Sequence, residues 1–453
     1  MMQKILMLLI PTALAAGGVL FLFFSVQSFL EKENRAGGIS LGMAALCVIV
    51  VVVFFLLPGI YRIWITAALG SFGLFLLGAN LLPYRKEDLP DIPSKRFDER
   101  DIPFSRMELQ EGTAAFRDYY GRRPDQLKMD EAIRKLPGLL NLSSREAHML
   151  GFTAAMASFD FCDDAGRLVE AVPVEGKKSM DAGELSSFIK SLAKYYGARN
   201  AGITKLEEYH LYSTLGRKER RGKPGDLSHS FALVFTVEMK HENMASAPAA
   251  PVVMESSRQY ANAALIALQL KNFIARLGFD ARAHIDGSYH LIAPLAARDA
   301  GLGEIGRMGL LMTPEHGPRV RIGAVTTDLP LVPDRRSQDR SMIRFCRICK
   351  RCADNCPSRA IPFEDRELID GAYRWRINMD SCFRYWNAVG TDCARCIAVC
   401  PYAHPDTGVH GLVRYILRTF PRSHRLFLWM ENFFYGRNPR RGAYPNWIPS
   451  RGE

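Results

Sequence analysis

Eight of the chain's ten cysteines fall between residues 346 and 400, and their spacing restricts that segment more than any other feature restricts the chain. The first four read Cys346-x2-Cys349-x2-Cys352-x3-Cys356, followed by Pro357. The second four are Cys382 and then Cys393-x2-Cys396-x3-Cys400, followed by Pro401. A cubane iron–sulfur core needs four thiolates converging on a small inorganic centre, and a C-x2-C-x2-C loop wraps three of them around it. In two-cluster ferredoxins the fourth, proline-flanked cysteine serves the other cluster. By that crossing rule Cys346, Cys349, Cys352 and Cys400 hold one [4Fe–4S] cluster, while Cys356, Cys382, Cys393 and Cys396 hold the second. Zinc ribbons also use C-x2-C pairs but not this x2, x2, x3-CP rhythm. A secreted disulfide domain would be small and would spread its cysteines more evenly. The two outliers, Cys47 in an apolar run and Cys162 in FDFCDD, read as buried small hydrophobes.

Three apolar runs open the chain, at 5–30, 41–57 and 64–82, separated by EKENRAGG and PGIYR. Each is close to the roughly 20 residues that cross a bilayer, so residues 1–83 are expected to form a membrane anchor of three transmembrane helices. Lys4 is the only basic residue ahead of the first run, and two further runs follow it, which disfavours a cleaved signal peptide. Lys4 and Arg62 share one face of the membrane, whereas Lys32, Arg35, Arg85, Lys86, Lys95 and Arg96 share the other. The richer side is the cytoplasmic one, so a multi-pass protein of the cytoplasmic membrane is expected, its catalytic domain on the cytoplasmic side. No histidine precedes His148, so these spans offer no imidazole pair to a haem.

The formal charge of +12 lies almost wholly beyond the anchor, but its arginines and lysines are dispersed rather than massed among aromatics. That argues against nucleic acid as a partner and for membrane lipid or an acidic electron donor. Residues 84–110 are charged and proline-punctuated, as in a linker or an arm over a domain surface. Residues 111–340 mix helical periodicity at 182–198 and 257–278 with strand-like runs at 231–239 and 319–331, the pattern of an α/β (α+β) catalytic domain. Residues 341–405 form a ferredoxin-like unit. The basic, aromatic tail 406–453 is expected to pack on the catalytic domain.

Ahead of the cysteines, Gly301-x-Gly303-x-x-Gly306, with Asp328 further on, matches the dinucleotide fingerprint. Its context does not. The preceding APLAARDA is no clean strand, and Gly309 and Pro314 stand where a long helix should follow. A glycine-rich loop approaching another cofactor closely fits better.

The run AGLGEIGRMGLLMTPEHGPRVRIGAVTTDLPLVPDRR, then FCRICKRCADNCPSRAIP and a shortened second cluster motif, resembles the corrinoid-dependent reductive dehalogenases. The resemblance extends over about residues 110–450, including FYGRNPRRGAYPNW. Related epoxyqueuosine reductases would show GLGW and GK where this chain has Gly301-Leu302-Gly303-Glu304 and Gly306-Arg307. The resemblance implies a nitroreductase-like core that buries a cobalamin, and a ferredoxin-like insert that feeds it electrons. The substrate would be a small organohalide, the electron donor a ferredoxin, flavodoxin or quinol-linked protein. The chain lacks D-x-H-x-x-G, in keeping with the family's base-off corrinoid. The proton donor is best matched by Tyr260, and the partner that stabilises its phenolate and lowers its pKa by Arg319, with Arg307 the competing choice. Gly301, Gly303, Glu304, Gly306, Arg307 and Asp286 are the expected cofactor-binding residues. Ser288 is a further pocket residue, and His284 and His290 are expected to be satisfied polar groups. Members of this family usually pair a twin-arginine signal with a separate anchor subunit, whereas this chain resembles both subunits in one. Two other readings compete: an epoxyqueuosine-reductase-like enzyme acting on tRNA, and a membrane-tethered ferredoxin-type carrier. Against the carrier stand the roughly 230 residues of folded domain ahead of the cysteines, which an electron shuttle does not need.

Overall fold

The first two apolar runs fold as helices α1 (Met2–Leu30) and α2 (Asn34–Leu56) in a computed structural model that describes residues 2–81, 89–337 and 339–449. Ile10–Leu30 and Asn34–Leu56 are each long and apolar enough to cross a bilayer. They pack side by side, and Leu22, Phe23, Val26, Val48, Ile49 and Val52 remain exposed. The third run is helical over Gly59–Leu81 (α3), but many of its side chains, and residue 82, lie outside the described residues. Two candidate spans therefore stand where three are expected.

Residues 407–439 belong to this same unit, which corrects the expectation that the whole tail packs on the catalytic domain. Phe434 and Tyr435, at the end of the His424–Tyr435 helix, pack with Phe21, Phe24, Ala36 and Ile39. The Phe24 and Phe434 rings meet edge to face at 5.3 Å. An amphipathic segment covers apolar surface, and α1 and α2 offer it here. Only Arg440 onward joins the second unit. There Arg441 pairs with Glu146 at 3.0 Å, and the His148 ring meets the Pro449 carbonyl at 2.9 Å.

The second unit is built on strands that are apolar nearly throughout, the pattern of a sheet covered on both faces. They are β1 (Asn200–Lys205), β2 (Phe231–Glu238), β3 (Ala281–His284) and, after the short hairpin of β4 (Glu304–Ile305) and β5 (Leu311–Met312), β6 (Val320–Thr327). The sheet order is β1-β2-β6-β3 with every pairing antiparallel, which makes the unit α+β. The Ala250–Arg276 helix covers one face through Ala263, Ala264, Ala267, Leu270 and Ile274, whose small side chains allow close approach. Ala296 and Ala297 of the Ala293–Asp299 helix cover the other. The long helix ends at Gly278 (φ +85°) as its sequence predicts, yet it starts at Ala250 rather than Ser257. Tyr260 consequently lies in mid-helix, not at a helix start. From residue 89 to 110 the chain is an arm laid on this unit, anchored where Arg336 donates to Asp91 at 2.9 and 2.5 Å.

A buried polar chain crosses one face of the sheet. His284 Nδ1 accepts the backbone N–H of His290 at 3.2 Å, so its Nε2 carries the proton toward Thr326 Oγ1 at 2.8 Å. The Thr326 hydroxyl in turn donates to His229 Nδ1 at 2.8 Å. His284 is thus satisfied as expected, whereas His290 Nδ1 has no partner among the described residues. Burial and the neighbouring Arg282 guanidinium hold His284 well below the ordinary imidazole value and bring His290 down to about 3. The unfolded chain therefore takes up these protons first as pH falls. The two rings contribute their full stability above about pH 6.5 and lose roughly 1 kcal/mol each per pH unit below it. The drop in thermal midpoint between pH 7.5 and 5.5 is expected to be smaller in His290→Gln than in the parent protein. An equal drop would show that this ring is not a source of the acid sensitivity.

Candidate active site and iron–sulfur segment

The two cysteine motifs fold into matching loops. Lys350 (φ +57°) follows Cys349, and Ala394 (φ +50°) follows Cys393, each in the left-handed region that non-glycine residues seldom adopt. A one-turn helix comes next in each case, Arg351–Asp354 and Arg395–Ala398. The thiols lie in two adjoining neighbourhoods. Cys400 is within electrostatic reach of Cys346, Cys349 and Cys352, and Cys396 within reach of Cys393, Cys382, Cys352 and Cys356, so Cys352 borders both groups. Backbone N–H groups of Arg307, Ala353, Arg395 and Tyr402 donate to the sulfurs of Cys346, Cys352, Cys393 and Cys400. Cys356 Sγ accepts from the Ala360 N–H at 3.2 Å. Burial pushes the thiols of Cys352, Cys393 and Cys400 up, so their thiolates require a cationic core to form.

The glycine stretch serves this segment. Gly301, Gly303 and Gly306 lead into and along the β4–β5 hairpin, which replaces the helix a dinucleotide fingerprint demands. A Cβ on Gly303 would stand 2.1 Å from the Met312 carbonyl oxygen, and one on Gly306 would press on the Met312 side chain with Cys346 Sγ 3.6 Å away. Gly301 has φ +80°. Glu304 is buried and ion-paired with Arg340 at 2.6 Å and Arg336 at 3.3 Å. The Arg307 guanidinium donates to the carbonyls of Cys346 (3.1 Å), Pro362 (2.8 Å), Glu364 (2.6 Å) and Arg347 (3.3 Å) and lies over Trp375. Gly306 and Arg307 thus pack against the first cysteine loop, whereas Gly301 and Gly303 meet Arg335 and Met312 and Glu304 meets the Arg336 and Arg340 guanidinium groups.

Tyr260 is approached by a different arginine from the two expected. Arg319 is fully buried, donating to the carbonyls of Ala403 (2.5 Å), Met239 and His404 (3.4 Å) and to Glu238 (3.1 Å). Arg321, two residues on and within β6, holds its guanidinium 4.8 Å from the Tyr260 ring centre. Its Nη2 donates to Asp392 Oδ2 at 2.9 Å and to the Ser256 hydroxyl. Arg321 Nε and Asp392 Oδ1 have no partner among the described residues. Asp392 immediately precedes Cys393.

Tyr260, Asp286, Tyr289 and Arg321 lie deep in the unit and still keep accessible surface, so they line a cleft. Burial pushes the Tyr260 phenol up, and Arg321 only partly opposes it, so the net direction is opposite to the expected lowering. Tyr289 donates its hydroxyl to the Ile322 carbonyl at 2.9 Å. Burial also raises the Asp286 carboxyl, against the pull of Arg217 and Arg321. Cys162 is buried beside Asp286. The Ser288 hydroxyl faces away from the cleft, toward Arg282 at 3.3 Å. Arg321, Asp392, Tyr289 and Arg217 are the residues that reading the sequence misses. Strand alternation offers one signal for Arg321, since it shares its face with Gly323 and Val325, which lie under the long helix.

Residues 345–404 match the family model described as a 4Fe-4S dicluster domain. A tetrachloroethene reductive dehalogenase from Dehalobacter restrictus is 31% identical over 54% of this chain and 53% of its own length. An epoxyqueuosine reductase from Pseudomonas aeruginosa is 27% identical over 59% of this chain and 84% of its own length. Among solved structures, the catabolic reductive dehalogenase NpRdhA in complex with 3-bromo-4-hydroxybenzoic acid superposes with a TM-score of 0.64 at 25% identity. That match covers 79% of this chain and 49% of the other. The chain spans about half the length of the curated dehalogenases it matches. In sequence over about half of the chain and in fold over most of it, the chain is similar to the reductive dehalogenases.

Proposed function

We propose that the chain is a membrane-anchored reductive dehalogenase, an oxidoreductase that removes halogen from a small organohalide with a proton from Tyr260. The observation that carries this reading is the single wall on which Tyr260, Arg321 and Asp392 meet, one residue from Cys393. Electrons would arrive from a ferredoxin, flavodoxin or quinol-linked donor through two [4Fe–4S] clusters. Cys346, Cys349, Cys352 and Cys400 would ligate one, and Cys356, Cys382, Cys393 and Cys396 the other. The two thiol neighbourhoods and their N–H donors support that division. The excess of arginine and lysine beyond α1 and α3 supports a catalytic unit on the cytoplasmic side.

A corrinoid in a nitroreductase-like core completes the reading. The orphaned Arg321 Nε and Asp392 Oδ1 and the accessible faces of Tyr260 and Asp286 fit a large ligand with polar edges. His284 is engaged through both ring nitrogens and would not serve as a ligand to that group. When bound, the corrinoid would supply a reducible cobalt for attack on the carbon–halogen bond. The chain's own residues do the rest. Because burial keeps the Tyr260 phenol protonated at neutral pH, it arrives at the reaction as an acid. Arg321 then stabilises the phenolate left behind, and Asp392 and Ser256 hold the guanidinium in place. Asp286 lines the same cleft. Gly301, Gly303, Glu304, Gly306 and Arg307 are assigned to the cluster side rather than to the corrinoid. The tetrachloroethene enzyme and the bromohydroxybenzoate complex among the relatives suggest the substrate class without choosing within it.

Anaerobic purification followed by iron, cobalt and turnover measurements tests this. Tyr260→Phe is expected to keep iron and cobalt and to lose about 10²–10⁴-fold in dehalogenation of chlorinated ethenes or bromophenols. Full activity would remove Tyr260 from the mechanism. Arg321→Gln should fall in the same range with its metals intact. Arg307→Lys can reach at most two of the four carbonyls and is expected to lose roughly half of the bound iron. Parental iron content in that variant would show that the first cysteine loop does not depend on the guanidinium.

A further inference from the structure

The segment 407–439 carries five arginines against one glutamate and more exposed aromatic surface than a water-facing tail tolerates. Leu412 and Tyr415 lie three residues apart on the Gly408–Thr419 helix, both exposed. Leu426, Trp429 and Phe433 recur at i, i+3 and i+7 on the His424–Tyr435 helix and are also exposed, with Trp429 and Phe433 stacked at 5.4 Å. The opposite faces are committed, through Leu417, His424, Phe434 and Tyr435, to the interior of the anchor unit. Two bonds fix the depth of these helices. The His410 ring meets Glu31 at 3.1 Å, and Arg35 donates to the Phe433 carbonyl at 3.3 Å, both at the charged turn that joins α1 to α2. Exposed Val26, Phe29 and Leu30 continue the apolar surface down α1.

We propose that these two helices form an elbow lying in the membrane interface, with Leu412, Tyr415, Leu426, Trp429 and Phe433 seated at headgroup level and exposed Arg418, Arg422 and Arg425 drawing anionic lipid. The elbow rests on the reading that α1 and α2 span the membrane.

Full-length protein in nanodiscs of phosphatidylcholine and phosphatidylglycerol tests it, using lipids brominated near the headgroup or near the chain end. The difference in fluorescence between the parent and Trp429→Phe is expected to be quenched several-fold more by shallow bromines than by deep ones. Shallow-brominated phosphatidylglycerol should quench more than its phosphatidylcholine counterpart at equal mole fraction; equal quenching would overturn the anionic preference. A difference signal that neither depth quenches, or that deep bromines quench more, would overturn the elbow. Val48→Trp, at an exposed site midway along α2, keeps the two ideas apart. Deep quenching there with an unquenched Trp429 would remove the elbow alone, whereas no quenching there would remove the anchor and the elbow with it.

Discussion

Three guanidinium groups, the largest fully buried side chains among the described residues, stitch the cysteine segment together and hold it to the rest of the second unit. Arg307 ties the first loop to the turn after it, Arg351 donates to the Val399 carbonyl and so joins the first loop to the second, and Arg319 ties the exit of the second to β2. A charge taken out of water costs several kcal/mol unless its donors are satisfied. Here carbonyl oxygens satisfy most of them, and the thiolates of iron-loaded loops would supply the compensating negative charge. Lysine could not substitute, because a single ammonium cannot reach several diverging carbonyls at once. This polar stitching adds to the buried apolar residues of the segment, among them Phe345, Ile361, Phe383 and Ile397.

The same logic extends to the cleft. Glu255, buried near the start of the long helix, accepts from the Lys240 N–H, Asn243, Arg258 and Gln259 and so fixes the turn that carries Ser256. Ser256 and Asp392 then hold Arg321, and Arg321 faces Tyr260. Tyr260 and the second cysteine loop are therefore linked through one guanidinium. A shift of either would be felt by the other, because the three contacts share a single rigid planar group.

Much of this was legible in the sequence where the signal is local. Cysteine spacing announces the iron–sulfur segment at residues 345–404. The strands at 231–239 and 319–331 and the end of the long helix at Gly278 were readable from periodicity and a terminating glycine. Judgements that depended on tertiary direction failed. Arg319 and Arg321 differ by two residues, so alternation alone gives them one face, but Arg319 precedes the strand, where the chain turns from His316, and its side chain leaves toward Ala403. The tail was misplaced because a basic, aromatic amphipathic segment is compatible with any apolar surface, and no local feature of it names the one it covers. The glycine fingerprint leads into a hairpin rather than a helix, and Gly303 and Gly306 answer to the close approach of Met312.

The placement of residues 407–439 changes what a boundary means in this protein. In sequence the second unit is not appended to the end of the first; it is an insertion between two portions of the first unit, and from Arg440 onward the chain belongs to the second unit again. Cutting the chain ahead of residue 89 would remove the hairpin of α1 and α2 and leave Phe434 and Tyr435 bare, with the apolar surface that α1 and α2 had covered. Truncation ahead of residue 89 alone is thus the wrong design for isolating the second unit. Residues 407–439 must be removed as well, so that no helix of the first unit is left with its apolar face uncovered.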